Sequence, residues 1–147
     1  MSEGLRYMNL SPGRHSSGTL MQLNALSDVV VGANVVCLKS GCSAVKDKEY
    51  TVTAVTAQSV TCEARGSRFN TKPADFLQRF ARRLGPVLEV SIRKGLVAKA
   101  TFDGKTYKTG EVITLVETGG CVFDFRDSAG KKAGVAKQEF FTVFVYI

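Results

Sequence analysis

The sequence predicts a mainly all-β protein built as two tandem units preceded by an N-terminal arm. Three observations carry that expectation. Apolar and polar residues alternate in short runs, as half-buried strands require. A pattern running from Lys46 to Phe80 returns about sixty residues later, from Lys108 to Phe144. Both copies then close alike, on Asp75-Phe76-Leu77-Gln78-Arg79-Phe80 and on Glu139-Phe140-Phe141-Thr142-Val143-Phe144. Val35, Tyr50 and Val60 stand 62 positions before Val97, Val112 and Val122, and a last loop longer by two residues brings Phe76 onto Phe140. A self-match at a fixed offset marks a duplication, which divides the chain into an arm at 1–27, a first repeat at 28–84 and a second at 85–147. Units of about 60 residues bury only about 60% of their unfolded surface, so the two are expected to pack on each other.

In the arm, the Ser/Gly-rich centre Ser11 to Gly18 reads as a connection, flanked by apolar clusters at Leu5–Leu10 and Leu20–Leu26 that suit docking on a neighbour. Val29 to Leu38 is β-branched and is expected to be the first strand of repeat one, with Gly32-Ala33-Asn34 as a turn or bulge. Tyr50, Val52 and Val55 nearly alternate in the next strand. Thr56 to Gln58 turns the chain into a third, where Val60, Cys62 and Ala64 share a face. A basic connection, Arg65 to Lys72, contains one aromatic, Phe69.

Pro73-Ala74-Asp75-Phe76-Leu77 resembles the Pro-Ser-Asn-Tyr-Val signature of SH3 domains, and it follows four candidate strands in the order that fold requires. The resemblance covers each repeat in outline and extends to the wider SH3-like barrels, including KOW and Tudor modules. It implies tandem SH3-like small barrels with a 3₁₀ turn before each closing strand. The chain departs from SH3 domains in lacking their Ala-Leu-Tyr-Asp-Tyr opening, and it has no tryptophan to line a polyproline groove. A local pattern also fits a helix from Pro73 to Leu84, with Phe76, Leu77, Phe80 and Leu84 on one face. A hybrid satisfies both: one or two helical turns from Ala74, with Arg79, Arg82 and Arg83 turned away from the apolar face. In repeat two, Val87 to Ile92 and Leu96 to Phe102 read as strands, Asp103-Gly104 as a hairpin turn, and Phe140 to Ile147 as an apolar closing strand too sticky to remain an open edge.

Composition narrows the chemistry. Cys37, Cys42, Cys62 and Cys121 are expected to be reduced and mostly buried, because no secretory leader accompanies them. The Cys37/Cys42 spacing suits metal ligation, yet no second close pair exists and the sole histidine, His15, lies in the arm, so no metal is expected. With one histidine no nucleophile has a base, no phosphate-binding glycine loop is present, and the carboxylates are scattered. The expectation is therefore no enzyme and no cofactor, nor does any apolar run approach the ~20 residues of a membrane span.

Net charge is +7, divided as 0 over Met1 to Asp28, +5 over Val29 to Leu84 and +2 over Gly85 to Ile147. The excess on repeat one points to a basic binding surface made of Arg65, Arg68, Lys72, Arg79, Arg82 and Arg83, with Phe69 as a stacking platform and Lys131 and Lys132 contributed by the matching loop of repeat two. Sequence-independent contact with a DNA or RNA backbone is the expected function. The alternative is a protein-interaction or assembly component, viral or host-binding, that exchanges its arm or its C-terminal strand and forms homo-oligomers. The corresponding locations are the cytoplasm or the virion.

Overall fold

The alternating runs form antiparallel strands in a computed structural model that describes residues 7–9, 19–41 and 43–147. The first sheet contains β1 (Tyr7–Asn9), β2 (Thr19–Gln22), β3 (Asn34–Cys37), β4 (Glu49–Val55), β5 (Val60–Ala64), β6 (Ser67–Thr71) and β7 (Phe80–Leu84), with a helix α1 (Pro73–Arg79) before β7. The second contains β8 (Val97–Ala100), β9 (Val112–Glu117), β10 (Val122–Arg126), β11 (Lys132–Ala136) and β12 (Phe144–Tyr146), with α2 (Lys137–Val143) before β12. Their orders are β1-β2-β7-β3-β4-β5-β6 and β11-β10-β9-β8-β12. Each sheet thus contains the same five-stranded unit, a meander of four strands with the closing strand laid beside the first. The chain is mainly β, as its alternation predicts.

The two units match residue by residue, but the offset through the first three strands is 63, not the 62 read from the sequence. Val35 pairs with Tyr50 as Ala98 pairs with Ile113, and Val52 pairs with Cys62 as Leu115 pairs with Phe125. Turns agree: Gly32 and Gly95 both have positive φ and donate to Val52 and Leu115, while Asp47 and Gly110, again at positive φ, donate to Cys37 and Ala100. The 62-residue offset aligns the inward Val35, Tyr50 and Val60 with Val97, Val112 and Val122, of which the last two are exposed. A one-residue slip turns every side chain of a strand to the opposite face, so burial decides between the registers. At the closing motif the sequence match holds. Phe76 stacks on Phe80 with ring centroids 4.6 Å apart, and Phe140 on Phe144 at 4.9 Å, both pairs inclined at 14°.

Several elements differ from expectation. Phe140 to Ile147 is not one strand: α2 carries the chain to Val143 and only Phe144–Tyr146 is extended, because Phe140, Val143 and Phe144 reach the core together from a helical turn followed by a strand. Helix α1 does end at Arg79, but Arg82 and Arg83 belong to β7, not to a second helical turn. Val87 to Ile92 contains a 3₁₀ turn at Glu89–Ser91 in place of a strand, equivalent to one at Leu26–Asp28. Thr101 to Tyr107 is a loop. Thr19 to Ser27, assigned to the arm, is built into the first unit: β2 pairs with β7, and Leu20, Met21 and Leu23 are buried. The remainder of the arm, including His15, lies outside the described residues apart from the backbone of Tyr7–Asn9, which pairs with β2.

Each unit encloses its own core, one around Val35, Tyr50, Val52, Phe76 and Phe80, the other around Leu96, Ile113, Leu115, Phe125 and Phe140. Cys37 and Cys62 are buried, Cys37 Sγ donating to the Lys39 carbonyl, and burial pushes the Cys62 thiol up to about 12, which leaves it unreactive. Cys121 is exposed, contrary to expectation, because it precedes β10 in a turn. Cys42 lies outside the described residues. No helix among the described residues is long and apolar enough to cross a membrane.

Candidate functional site

Where the units meet, the outward faces of β3, β4 and β7 carry polar side chains. Asn34, Glu49, Thr51 and Arg83 come from the first unit, and Ser91, Arg93 and Tyr146 from the second. Arg83 Nε donates to Glu49 Oε2 at 2.8 Å; Asn34 Nδ2 and Ser91 Oγ donate to Oε1 at 2.6 and 2.5 Å. Arg93 Nη2 donates to Asn34 Oδ1 at 2.5 Å and Thr51 Oγ1 at 2.7 Å, and its Nη1 lies 3.9 Å from Glu49 Oε1. Tyr146 shares a hydrogen bond with Ser91 and accepts one from the Leu88 amide. The cluster is dry: the side chains of Arg83, Arg93 and Glu49 are 0, 4 and 6% exposed.

Burial and the partners that oppose it set the titration of these groups. Burial pushes the Glu49 carboxyl up, but the hydrogen bond from Ser91, the charge of Arg83 and the bonds from Asn34 and Arg83 outweigh it, and the group titrates below its ordinary value. Burial pulls the Arg93 guanidinium down to about 10; Glu49 opposes that fall and the nearby charge of Arg65 adds to it.

Above this floor opens a cleft of about 540 Å³. One wall is the loop into β4, with Val45, Asp47 and Lys48; a second is the β5–β6 turn, with Ala64, Arg65 and Ser67; the third is Val90 of the second unit, and Glu49, Tyr50 and Arg93 also line it. Arg65 sits at positive φ (49°) at the tip of the tight β5–β6 turn, followed by Gly66. Neither Lys48 nor Arg65 forms an ion pair with an acid among the described residues, whereas Arg68 pairs with Glu63, Lys94 with Glu117 and Lys137 with Glu89.

The residues predicted from sequence have separate fates. Arg65, Arg68, Lys72, Lys131 and Lys132 are exposed, so a basic rim exists on the first unit and a smaller one on the second. Phe69 is not a free platform: it lies edge-on to Tyr50 at 5.1 Å and packs against the first core, because its neighbour across the ladder is the buried Cys62. Arg83 is withdrawn from the surface by Glu49. Arg82 is half-buried, donating to the carbonyls of Ile147 and Asp28, and Arg79 is half-buried with Nη1 on the Ser40 carbonyl at 2.7 Å. Those three arginines therefore hold the architecture together. The structure adds Lys48 and Arg93 to Arg65: Lys48 comes to it within the first unit through the loop into β4, and Arg93 only once the units dock.

No protein-family model matches the chain, and no curated protein is significantly similar to it.

Proposed function

We propose that the protein is a non-enzymatic binding module of two tandem SH3-like barrels that contacts the backbone of DNA or RNA without regard to sequence. The order of strands in each unit, with a short helix before the closing strand, supports the SH3-like assignment. One observation carries the functional reading: Lys48 and Arg65 line one cleft of the first unit, and no acid among the described residues forms an ion pair with either of them. Phosphates are the natural counter-charge for such a rim. Lys131 and Lys132 are exposed on the second unit, where the loop from Asp127 is the counterpart of the Arg65 turn.

A salt series tests the proposal. Binding of a fluorescent oligonucleotide of arbitrary sequence should weaken steeply with salt, and replacing Arg65, Arg68 and Lys72 together by Ala should flatten the slope by about 0.9 per lost contact on duplex DNA, or about 0.7 on a single strand. Absence of affinity at low salt would end this reading. The assembly alternative rests on a different observation. Among the described residues, β6 and β11 each end a sheet with one edge that pairs with no strand and suits strand addition, whereas β12 is flanked by β8 and by Pro86.

A further inference from the structure

We propose that the cleft between the two units is a site for one nucleotide of a single strand, its phosphate lodged between Lys48 and Arg65 above Arg93 and its base laid against Val45 and Val90. This deepens the reading above and rests on it. The volume, about 540 Å³, lies within the ~300 to 1,000 Å³ of small-molecule sites and is too small for a duplex. Its lining divides by chemistry. Lys48, Arg65 and Arg93 face Asp47 and Glu49, but the Glu49 carboxylate is already engaged by Arg83, Asn34 and Ser91 on the floor. An excess of positive charge is left toward the opening. Arg93, its side chain 4% exposed and fixed by the carbonyl of Ser91 and by Asn34 and Thr51, lies in the floor and adds its charge to the cleft from below without touching the phosphate. Val45 and Val90, 49 and 43% exposed, come from different units and give the cleft its apolar sides. Neither unit has the site alone: Arg65 and Lys48 belong to the first and Arg93 and Val90 to the second.

The test is anisotropy of a labelled single-stranded ten-mer at low salt, with competition by adenosine 5′-monophosphate and by adenosine. The monophosphate should displace the strand and adenosine should not. Val90→Trp, which fills the cleft from a half-exposed position without changing charge, should weaken strand binding about tenfold and abolish the competition; Val45→Trp repeats the test from the opposite wall and guards against misfolding of either variant. Lys131→Ala/Lys132→Ala should leave competition by the monophosphate intact. Should both cleft-filling variants fold and bind the strand as tightly as the parent, with no competition by the monophosphate in any of them, the cleft is not the site, although backbone contact elsewhere on the rim stands. If the parent binds no strand at all, both readings fall together.

Discussion

Glu49 is the acidic member of a buried cluster that also holds Arg83 and Arg93, and removing it takes a shared carboxylate from two guanidiniums that are 0 and 4% exposed. The substitution Glu49→Ala deletes the acceptor of Arg83 Nε, Asn34 Nδ2 and Ser91 Oγ at a stroke. Breaking a buried pair from one side destabilises by about 3 to 5 kcal/mol, since the surviving charge keeps its desolvation penalty. With Arg83 wholly buried and Arg93 nearly so, the expected loss lies in that range, measured by urea unfolding at pH 7. Acid offers a second readout. The folded carboxyl titrates below its unfolded value of 4.5, so its contribution is complete above 4.5 and is lost as the pH falls through the lower, folded value. Glu49→Gln carries no such titration, and the stability gap between it and the parent should close in that window. A loss under about 1 kcal/mol for Glu49→Ala, or parallel acid profiles for the parent and Glu49→Gln, would refute the account of the cluster.

Two further expectations test the duplication. Phe76→Ala and Phe140→Ala, equivalent and fully buried positions, should each destabilise by about 3 to 5 kcal/mol in urea, and a large difference between them would deny that the closing motifs do the same work. Gly32 and Gly95 share a positive φ, yet a Cβ at Gly95 meets open space whereas one at Gly32 lies 3.2 Å from Val97 Cγ1 of the other unit. Thermal unfolding should show Gly95→Ala less stable by about 1 to 2 kcal/mol from backbone strain, and Gly32→Ala less stable still.

The fold class and the duplication were legible because their signals are local: strands announce themselves through alternation, and the Phe76/Phe80 and Phe140/Phe144 pairs recur with identical spacing. The register was not, because the most similar letters were the misleading ones. Val112 and Val122 resemble Tyr50 and Val60 as apolar strand residues but lie on the outer face, and the true partners Ile113 and Phe123 stand one place further on. Alternation in β7 held an unused signal. Phe80 and Arg82 face one way and Ala81 and Arg83 the other, so Arg82 and Arg83 had to part company, and reading them as one basic patch treated a strand as a helix. Arg65 was legible as a cation in a turn. Its companion Arg93 was not, since Asn34 and Arg93 are 59 residues apart and meet only through docking.

Divergence between the copies accounts for how they dock. The outward positions Asn34, Glu49 and Thr51 correspond, 63 residues on, to Val97, Val112 and Thr114. In the first copy this face is polar and covered by the second copy; in the second it is more apolar, and Val112 is 39% exposed. That is the reverse of what burial of apolar surface alone would select. Two copies joined through apolar faces could slide over one another at little expense, whereas Ser91 and Arg93 find acceptors at hydrogen-bonding distance in one arrangement only. Displacement by a single residue would leave Arg93 buried against the wrong partners. The polar cluster therefore acts on orientation more than on net stability, consistent with the near cancellation of attraction and desolvation in buried ion pairs. A fixed orientation is also what holds Arg93 and Val90 opposite Arg65 and Val45, so the geometry of the cleft is a direct consequence of the Glu49 contacts beneath it.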